Sequence, residues 1–199
     1  MFFLSARLSV PCDDYRRMFG VNDVALDWIR SFVSGRTQQI VVGSEKSTVF
    51  ASSSGVPQGS VLGPMLFGMY VSPVGDVVAQ HRVHFHQYAD DMQLYVALRP
   101  QDCVSIPSLE QCATDVSRWF TENSLLLNPT ITEAVLFGTG QRLRQAPSIQ
   151  GVDVAGTSVK FSDDVKLLGV TLDSALSLSQ MSFAVVIIIY VHCVTFARC

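Results

Sequence analysis

The sequence predicts an α+β fold, in which amphipathic helices pack against a sheet built largely from hairpins. Residues 84–88 and 92–97 alternate between apolar and polar side chains on either side of the acidic pair Asp90-Asp91, as two antiparallel strands would. From Ser108 onward, apolar residues recur at helical spacing. We find no internal repeat and no long linker, so helices and hairpins are expected to form layers around one core.

The segment 22–51 predicts a helix followed by a hairpin. Asn22 is placed to cap the helix, and Gly35 is placed to end it. The apolar face of this helix is predicted to contain Val24, Trp28, Ile29 and Phe32. Residues 39–42 and 48–51 have the composition of strands and are predicted to be joined through a turn at Gly43-Ser44.

Two further helices are predicted downstream. A Ser/Gly/Pro-rich loop at 52–60 precedes an apolar segment, 61–70, that we expect to be a buried helix. Ser108 and Gln111 have the spacing of a capping box at the start of the clearest helix of the chain. Its apolar face is predicted to contain Leu109, Cys112, Ala113, Val116 and Phe120, with Trp119 beside them. Core packing is the expected role of both tryptophans.

The last third of the chain alternates short strands with polar segments. Strands are predicted at 134–137, 152–154, 159–161 and 166–172. The intervening segment 138–148 is polar and basic and is predicted to be a loop.

Composition limits the classes of function. The chain has 199 residues, of which 48% are hydrophobic and 16% charged, whereas a soluble domain carries about 25% charged residues. Such a composition excludes intrinsic disorder. The formal net charge of −3 provides no overall basic surface of the kind that nucleic-acid-binding domains carry. The five cysteines are scattered without a CxxC spacing, which favours a reducing, intracellular compartment.

Two apolar stretches have the length of membrane spans. Glycines and prolines punctuate the first, 47–75, so a buried loop and helix explain it better than a bilayer does. The second, 181–197, lies at the lower limit of spanning length, but its core is β-branched. A strand, an aggregation-prone tail and a tail anchor are therefore all open for this segment.

The acidic pair is the first candidate for chemistry. A hairpin tip holds carboxylates rigidly, and adjacent aspartates can bind Mg²⁺ through their oxygens. Two such ions about 3.5–4 Å apart would clamp an in-line phosphoryl transfer. On the four residues Tyr88-Ala89-Asp90-Asp91 alone, a solvated Asp-Asp turn is the alternative.

A Gly/Pro-rich loop upstream of the acidic pair is the second candidate for a functional role. Residues 54–64 read Ser-Gly-Val-Pro-Gln-Gly-Ser-Val-Leu-Gly-Pro and lead into the apolar helix. Glycine and proline fix a tight loop over which flat bases could slide, and Gln58 offers an amide to a template base or an incoming nucleotide. The loop and the acidic hairpin at this separation form a specific combination.

The combination resembles the reverse transcriptase domain of LINE-type (non-long-terminal-repeat) retrotransposons. The resemblance covers residues 19–178 and leaves an unmatched N-terminal segment, 1–18, and an unmatched apolar tail, 179–199. The residues that carry it are Phe19-Gly20-Val21, Ala25-Leu26-Asp27-Trp28, Ser34-Gly35-Arg36-Thr37-Gln38, Gly55 to Pro64, Tyr88 to Tyr95, Trp119, Leu127-Asn128-Pro129, Thr132-Glu133 and Leu167-Leu168-Gly169-Val170.

The resemblance implies a partial right-hand polymerase fold, comprising the palm with part of the fingers. It implies a nucleotidyl transfer directed by an RNA template, with a DNA primer, deoxynucleoside triphosphates and two Mg²⁺ ions. Asp90 and Asp91 are the implied catalytic and metal-binding residues. The implied substrate- and template-binding residues are Arg36, Pro57, Gln58, Gly59, Ser60, Tyr88, Ala89 and Lys166. Of these, Arg36 is expected near template phosphates and Lys166 near the primer.

Three departures from the family pattern predict an impaired polymerase. The family carries a further palm aspartate upstream of the Phe-Gly segment, and residues 1–18 contain no such motif. Ile131 stands where the family has a lysine proposed to protonate pyrophosphate. After residue 179 no helical thumb is expected. The alternatives are a non-catalytic remnant acting as an RNA-binding or interaction module, and a tail-anchored membrane protein.

Overall fold

The computed structural model describes residues 12–52, 59–98, 104–128, 131–139, 141, 143, 150–167, 170–174 and 185–195. Its helices are α1 (Cys12–Phe19), α2 (Asp23–Val33), α3 (Gly63–Val71), α4 (Val74–Ala79) and α5 (Ser105–Glu122). Its strands are β1 (Arg36–Gln38), β2 (Val41–Val42), β3 (Glu45–Lys46), β4 (Phe50–Ser52), β5 (His84–Tyr88), β6 (Asp91–Leu98), β7 (Leu125–Leu127), β8 (Glu133–Phe137), β9 (Gly151–Val154), β10 (Thr157–Ser162), β11 (Asp164–Leu167), β12 (Val170–Asp173) and β13 (Val185–Thr195).

The mixture of helices and hairpins confirms the α+β expectation. The chain divides into two compact units. The described part of the first contains α1, α2, β1 to β4, α3, residues 123–125 and Thr195, and the second contains α4, α5 and almost all of the large sheet. No helix among the described residues is long and apolar enough to cross a membrane.

In the first unit, the predicted apolar face of helix α2 is confirmed at Ile29 but is wrong at Val24 and Trp28. Leu26 and Ile29 are buried, whereas the side chains of Val24 and Trp28 are 83% and 56% exposed. The predicted core role of Trp28 is therefore wrong. Asn22 does occupy the N-cap position, but its side chain makes no capping bond and donates to the carbonyl oxygen of Gly20 at 2.9 Å.

The predicted hairpin at 39–51 is present, with its turn at Gly43, but as two short ladders. Strand β1 pairs with β4, and β2 pairs with β3 across the turn. Between the ladders, the Ser47 hydroxyl accepts from the amide of Ile40 at 3.0 Å, and Gln39 donates to the Ser47 carbonyl at 2.7 Å. These side-chain bonds compete with strand pairing and divide the hairpin.

The predicted buried helix at 61–70 is confirmed as α3, with a later start. Val61 is 95% exposed and precedes the helix, while Leu66, Phe67 and Tyr70 are buried. Pro64 lies in the first turn, where a missing amide costs no hydrogen bond. The Tyr70 hydroxyl donates to the carbonyl oxygen of Asn123 at 2.5 Å.

The large sheet has seven strands. Six of them follow the order β5-β6-β13-β8-β10-β9, and β7 pairs with β13 off this path. All neighbouring pairs on the path are antiparallel except β8 and β10. Strand β13 lies in the middle of this sheet, so the strand alternative for the apolar tail is confirmed at Val185–Thr195 and the tail anchor gains no support.

One face of this sheet packs on helices. Helix α5 contacts α4, β6 and β9. It buries all five residues of its predicted apolar face. The capping box is wrong, because α5 begins at Ser105 and Ser108 already donates its amide to the carbonyl of Val104 at 3.0 Å. Pro107 is compatible with this earlier start, since first-turn amides have no partner inside the helix.

The opposite face of the sheet is covered at one end by the β11–β12 hairpin. Val165 of β11 and Leu172 of β12 pack in a small cluster with Val135 and Phe137 of β8 and with Tyr190 of β13. The cluster covers the β8 and β13 end of this face. The acidic pair lies on β6 and in the turn before it.

Candidate active site

The acidic pair lies at the tip of the β5–β6 hairpin, as the sequence predicts. Tyr88 and Asp91 are directly opposite each other, so Ala89 and Asp90 alone form the connection. Ala89 has φ +54°, in the left-handed region that non-glycine residues seldom adopt. Gln87 donates from its side-chain amide to the carbonyl oxygen of Ala89 at 3.2 Å, which stabilises the turn.

The alternation along β6 determines where Asp91 lies. Met92 and Leu94 are buried on the helical side, whereas Asp91, Gln93 and Tyr95 are half-buried on the opposite face. Both carboxylates of the pair are thus partly accessible to solvent at one end of the open sheet face.

The next row across this face consists of polar residues from four strands. Gln93 lies opposite His86 on one side and Tyr190 on the other, and Tyr190 lies opposite Glu133. Tyr190 is buried, and burial together with the nearby Glu133 carboxylate raises the pKa of its phenol. The hydroxyl therefore stays protonated and remains a hydrogen-bond donor beside the site.

Tyr190 and Glu133 are residues of this face that sequence reasoning did not assign. Glu133 entered only as part of the family resemblance, and Tyr190 lies in the unmatched tail. The alternation of β13 would have indicated that Tyr190 shares a face with Ile188. The partner strands of β13 could not be inferred, because they lie far away along the chain.

Two of the predicted template-contacting residues lie in the first unit and have local structural roles. The Arg36 guanidinium donates through Nε to the carbonyl of Val33 at 3.3 Å, at the end of α2. Desolvation by burial lowers the pKa of Arg36. The hydroxyl of Ser60 accepts from the amide of Gly63 at 3.1 Å and so starts α3.

The rest of the Gly/Pro loop is described only at its end. Gly59 has φ +76°, a conformation that requires glycine for an unstrained turn. Pro57 and Gln58 lie outside the described residues.

Lys166 lies on β11, where its backbone is paired with Thr171 of β12. The 166–172 segment is thus two short antiparallel strands. Residues 168 and 169, which connect them, lie outside the described part.

Ile131 lies in a tight turn before β8. Its amide donates to the carbonyl of Asn128 at 3.4 Å, and the Thr132 hydroxyl donates to the same oxygen at 2.9 Å. The Ile131 side chain is 44% exposed. A longer, charged side chain at this position would reach solvent without displacing core residues.

The oxygen donors of Asp90 and Asp91 suit a hard cation. One or two carboxylates, completed by water and phosphate oxygens, are the usual protein share of a Mg²⁺ site. The described residues contain no group of three or more His, Cys, Asp or Glu side chains able to hold a metal ion.

Comparison with known families decides the identity. Residues 8–172 match the family described as Reverse transcriptase (RNA-dependent DNA polymerase). The chain belongs to this reverse transcriptase family. The match includes the acidic hairpin and ends before β13.

Relatives of this reverse transcriptase chain come from mobile elements. It is 30% identical over 159 residues to the RNA-directed DNA polymerase from mobile element jockey of Drosophila melanogaster, covering 76% of this chain and 16% of the relative. It is 28% identical over 156 residues to the jockey polymerase of Drosophila funebris, covering 75% and 16%. The probable RNA-directed DNA polymerase from transposon BS is 28% identical over 156 residues, covering 75% and 17%. The chain spans about a sixth of these relatives.

Proposed function

We propose that this chain is the part of a retrotransposon RNA-directed DNA polymerase that holds the catalytic carboxylates Asp90 and Asp91. The observation that carries the proposal is the Tyr88–Asp91 hairpin, which presents two adjacent carboxylates at the accessible end of a rigid sheet. The hairpin lies inside the reverse transcriptase match, and the relatives are polymerases of mobile elements. The substrates would be an RNA template, a DNA primer and deoxynucleoside triphosphates.

In this proposal the second unit corresponds to the palm and the first unit to part of the fingers. Asp90 and Asp91 bind Mg²⁺, which, when bound, neutralises charge on the triphosphate and its pyrophosphate leaving group. Tyr88 and Ala89 line the approach of the primer end. Lys166 lies near the primer backbone.

The loop and arginine of the first unit would position the template and the incoming nucleotide. Gly59 supplies a backbone conformation that leaves space for a flat base, and Ser60 fixes the start of α3 behind it. Pro57 and Gln58 complete this loop in the sequence. Arg36 contributes a cation for a template phosphate.

Primer extension with the purified chain tests this proposal. With an RNA template, a DNA primer and Mg²⁺, slow extension is expected, because Ile131 replaces the family's lysine, and Asp90→Asn and Asp91→Asn are each expected to abolish it. Asp76→Asn is the matched control, because Asp76 is an exposed aspartate on α4 whose loss removes the same charge. Extension that survives both hairpin substitutions would contradict the assignment. A chain that folds but extends no primer would contradict the activity and leave the remnant described below.

A second candidate is a non-catalytic remnant that still binds RNA, and Ile131 favours it. An isoleucine cannot donate a proton to pyrophosphate, and general-acid help is worth about 10²–10⁴ in rate. Ile131→Lys tests this candidate, because the exposed position accommodates a lysine. If the missing lysine is the reason for weak extension, Ile131→Lys raises the rate of primer extension. Its RNA affinity is expected to stay within about twofold of that of the unmodified chain, because one lysine adds at most one phosphate contact.

A further inference from the structure

Two histidines lie side by side on the edge strand β5. This strand is the first in the sheet order β5-β6-β13-β8-β10-β9, so it forms one edge of that path. His84 and His86 are two residues apart, and alternate residues of a strand point to the same face. Both side chains are exposed. The two imidazoles are therefore neighbours at an accessible margin of the sheet.

The packing of β5 determines which face the two histidines occupy. Phe85 lies between them, and a Cβ at Gly75 of α4 would lie 3.1 Å from its ring atom Cζ. Phe85 thus points toward the helices. His84 and His86 then point to the opposite, open face of the sheet, which the β11–β12 hairpin covers only at the β8 and β13 end.

An aromatic neighbour restricts one of the two rings. His84 lies directly opposite Tyr95 of β6, and the two rings stack with centroids 5.4 Å apart and planes 25° apart. Stacking covers the face of an imidazole but not its edge, where the two nitrogen atoms lie. A side chain that is already restricted loses less conformational entropy when it binds a ligand. The stack therefore favours ligand binding by His84.

Two imidazoles at this spacing suit a borderline divalent cation. A strand rises about 3.4 Å per residue, so alternate residues are about 6.8 Å apart. Two histidine side chains that lean toward each other span this separation when one ion lies about 2.0–2.1 Å from a nitrogen of each ring. Imidazole suits Zn²⁺, Ni²⁺ and Cu²⁺, whereas Mg²⁺ prefers carboxylate, carbonyl and water oxygens. The histidine pair thus differs in ligand chemistry from Asp90 and Asp91.

We propose that His84 and His86 form a binding site for a borderline divalent transition-metal ion such as Zn²⁺ or Ni²⁺. The two imidazoles supply two nitrogen ligands, and water completes the coordination. Structural zinc sites use four protein ligands, so an ion held by two histidines is expected to exchange with solvent. The site is separate from the cation site at Asp90 and Asp91 and does not depend on the polymerase function proposed above.

Titration of the full chain with Ni²⁺ tests the site, and the proton NMR signals of the histidine rings are the readout. The chain has four histidines, whose signals are assigned by single substitutions to alanine. Ni²⁺ is paramagnetic and broadens the signals of the rings that bind it. The His84 and His86 signals are expected to broaden together, before that of His81, whose Nε2 is 3.0 Å from Oδ2 of Asp115. Broadening of all three signals at the same Ni²⁺ concentration would overturn the proposal.

Substitution of either histidine tests whether the two rings act as a pair. His84→Ala and His86→Ala are each expected to weaken Ni²⁺ binding to the remaining ring by about tenfold or more, because a single ligand replaces a chelating pair. His81→Ala is the matched control and is expected to leave the affinity unchanged. An unchanged affinity at His86 after loss of His84 would overturn the proposal, and the titration of the unmodified chain tests it even where a variant does not fold.

A third imidazole beside the pair is expected to strengthen binding. Gln93 lies directly opposite His86 on β6, so Gln93→His is expected to tighten Ni²⁺ binding by about tenfold or more. Ser158→His adds the same side chain at an exposed position of β10, which is four strands away from β5 in the sheet order. This control is expected to leave the affinity of His84 and His86 unchanged. Equal effects of the two substitutions would contradict the proposed site.

Two measurements separate the histidine site from the acidic pair. Asp91→Asn is expected to leave the Ni²⁺ broadening of the His84 and His86 signals unchanged, and excess Mg²⁺ is expected not to reverse it. Loss of the broadening in either experiment would assign the ion to the acidic pair and overturn the proposal. A chain that binds Ni²⁺ at the two histidines but extends no primer would contradict the polymerase activity and leave this site standing.

Discussion

The imidazole Nε2 of His81 lies 3.0 Å from Oδ2 of Asp115 and joins the turn after α4 to helix α5. Asp115 also accepts from Arg118, at 2.6 Å, and from Gln111. Burial acts to raise the pKa of Asp115, but the Gln111 hydrogen bond and the charges of Arg118 and His81 outweigh it and lower that pKa. The carboxylate is therefore preferred in the folded chain.

This lowered pKa predicts an acid-dependent loss of stability. A carboxyl whose pKa is lower in the folded chain contributes stability above its unfolded pKa, and the contribution disappears as pH falls through the folded value. Asp115→Asn is expected to lower the free energy of unfolding at pH 7, and the deficit is expected to shrink from about pH 5 downward. Urea unfolding at a series of pH values measures it.

Asp27→Asn is the matched control for this prediction. Asp27 also forms an ion pair one turn along a helix, with Arg30 at 2.7 Å, but both side chains are more than half exposed. Exposed pairs contribute about 0–1 kcal/mol, so a small and nearly pH-independent effect is expected. A pH-independent deficit for Asp115→Asn as well would refute the role of this cluster.

Substitution of two glycines by alanine is expected to change the free energy of unfolding in opposite directions. A Cβ at Gly151 would overlap the carbonyl oxygen of Val159 and lie 3.0 Å from Cα of Lys160, both backbone atoms of β10. Gly151→Ala is therefore expected to lower the free energy of unfolding by about 1–3 kcal/mol. Gly68 lies in α3 with open space at its Cβ position, and Gly68→Ala is expected to raise it by about 0.5–1 kcal/mol. Chemical denaturation measures both.

The strained turn at Ala89 predicts that the stability of the chain depends strongly on side-chain branching at this position. A left-handed conformation is costly for any residue with a Cβ and most costly for a β-branched one. Ala89→Val is expected to lower the free energy of unfolding by about 1–3 kcal/mol. Ala97→Val, at an exposed position of the adjoining strand β6, is expected to be neutral or stabilising because valine favours strands. Equal effects of the two substitutions on thermal unfolding would contradict the strain.

Local sequence patterns were sufficient to predict the helices and hairpins whose structure is determined by residues close together in the chain. The five-residue apolar face of α5 was predictable because a long helix repeats its period over several turns. The β5–β6 hairpin was predictable because its strands alternate and are joined by two residues. This hairpin also carried the candidate site, so the position of Asp90 and Asp91 followed from the sequence.

Pairings between distant segments were not predictable in the same way. The run of β-branched residues in β13 indicated a strand, but nothing local identified β6 and β8 as its neighbours. The row that joins Gln93, Tyr190 and Glu133 depends on those pairings and was therefore missed. The prediction for helix α2 was wrong for another reason. Two adjacent stripes of apolar residues run along this helix, and periodicity alone cannot decide which of them is buried.

The choice between these stripes of α2 can be tested at Leu26, which lies outside the predicted face, and Trp28, which lies on it. Leu26 is 3% exposed and Trp28 is 56% exposed, although tryptophan is the larger side chain. Leu26→Ala is expected to lower the free energy of unfolding by about 2–4 kcal/mol, because it removes buried methyl groups and leaves a cavity. Trp28 stacks on Phe32 with ring centroids 6.4 Å apart, so Trp28→Ala loses that contact and a partly exposed surface, about 1 kcal/mol. Thermal unfolding of the two variants ranks them, and a larger loss for Trp28→Ala would restore the face that the sequence pattern indicated.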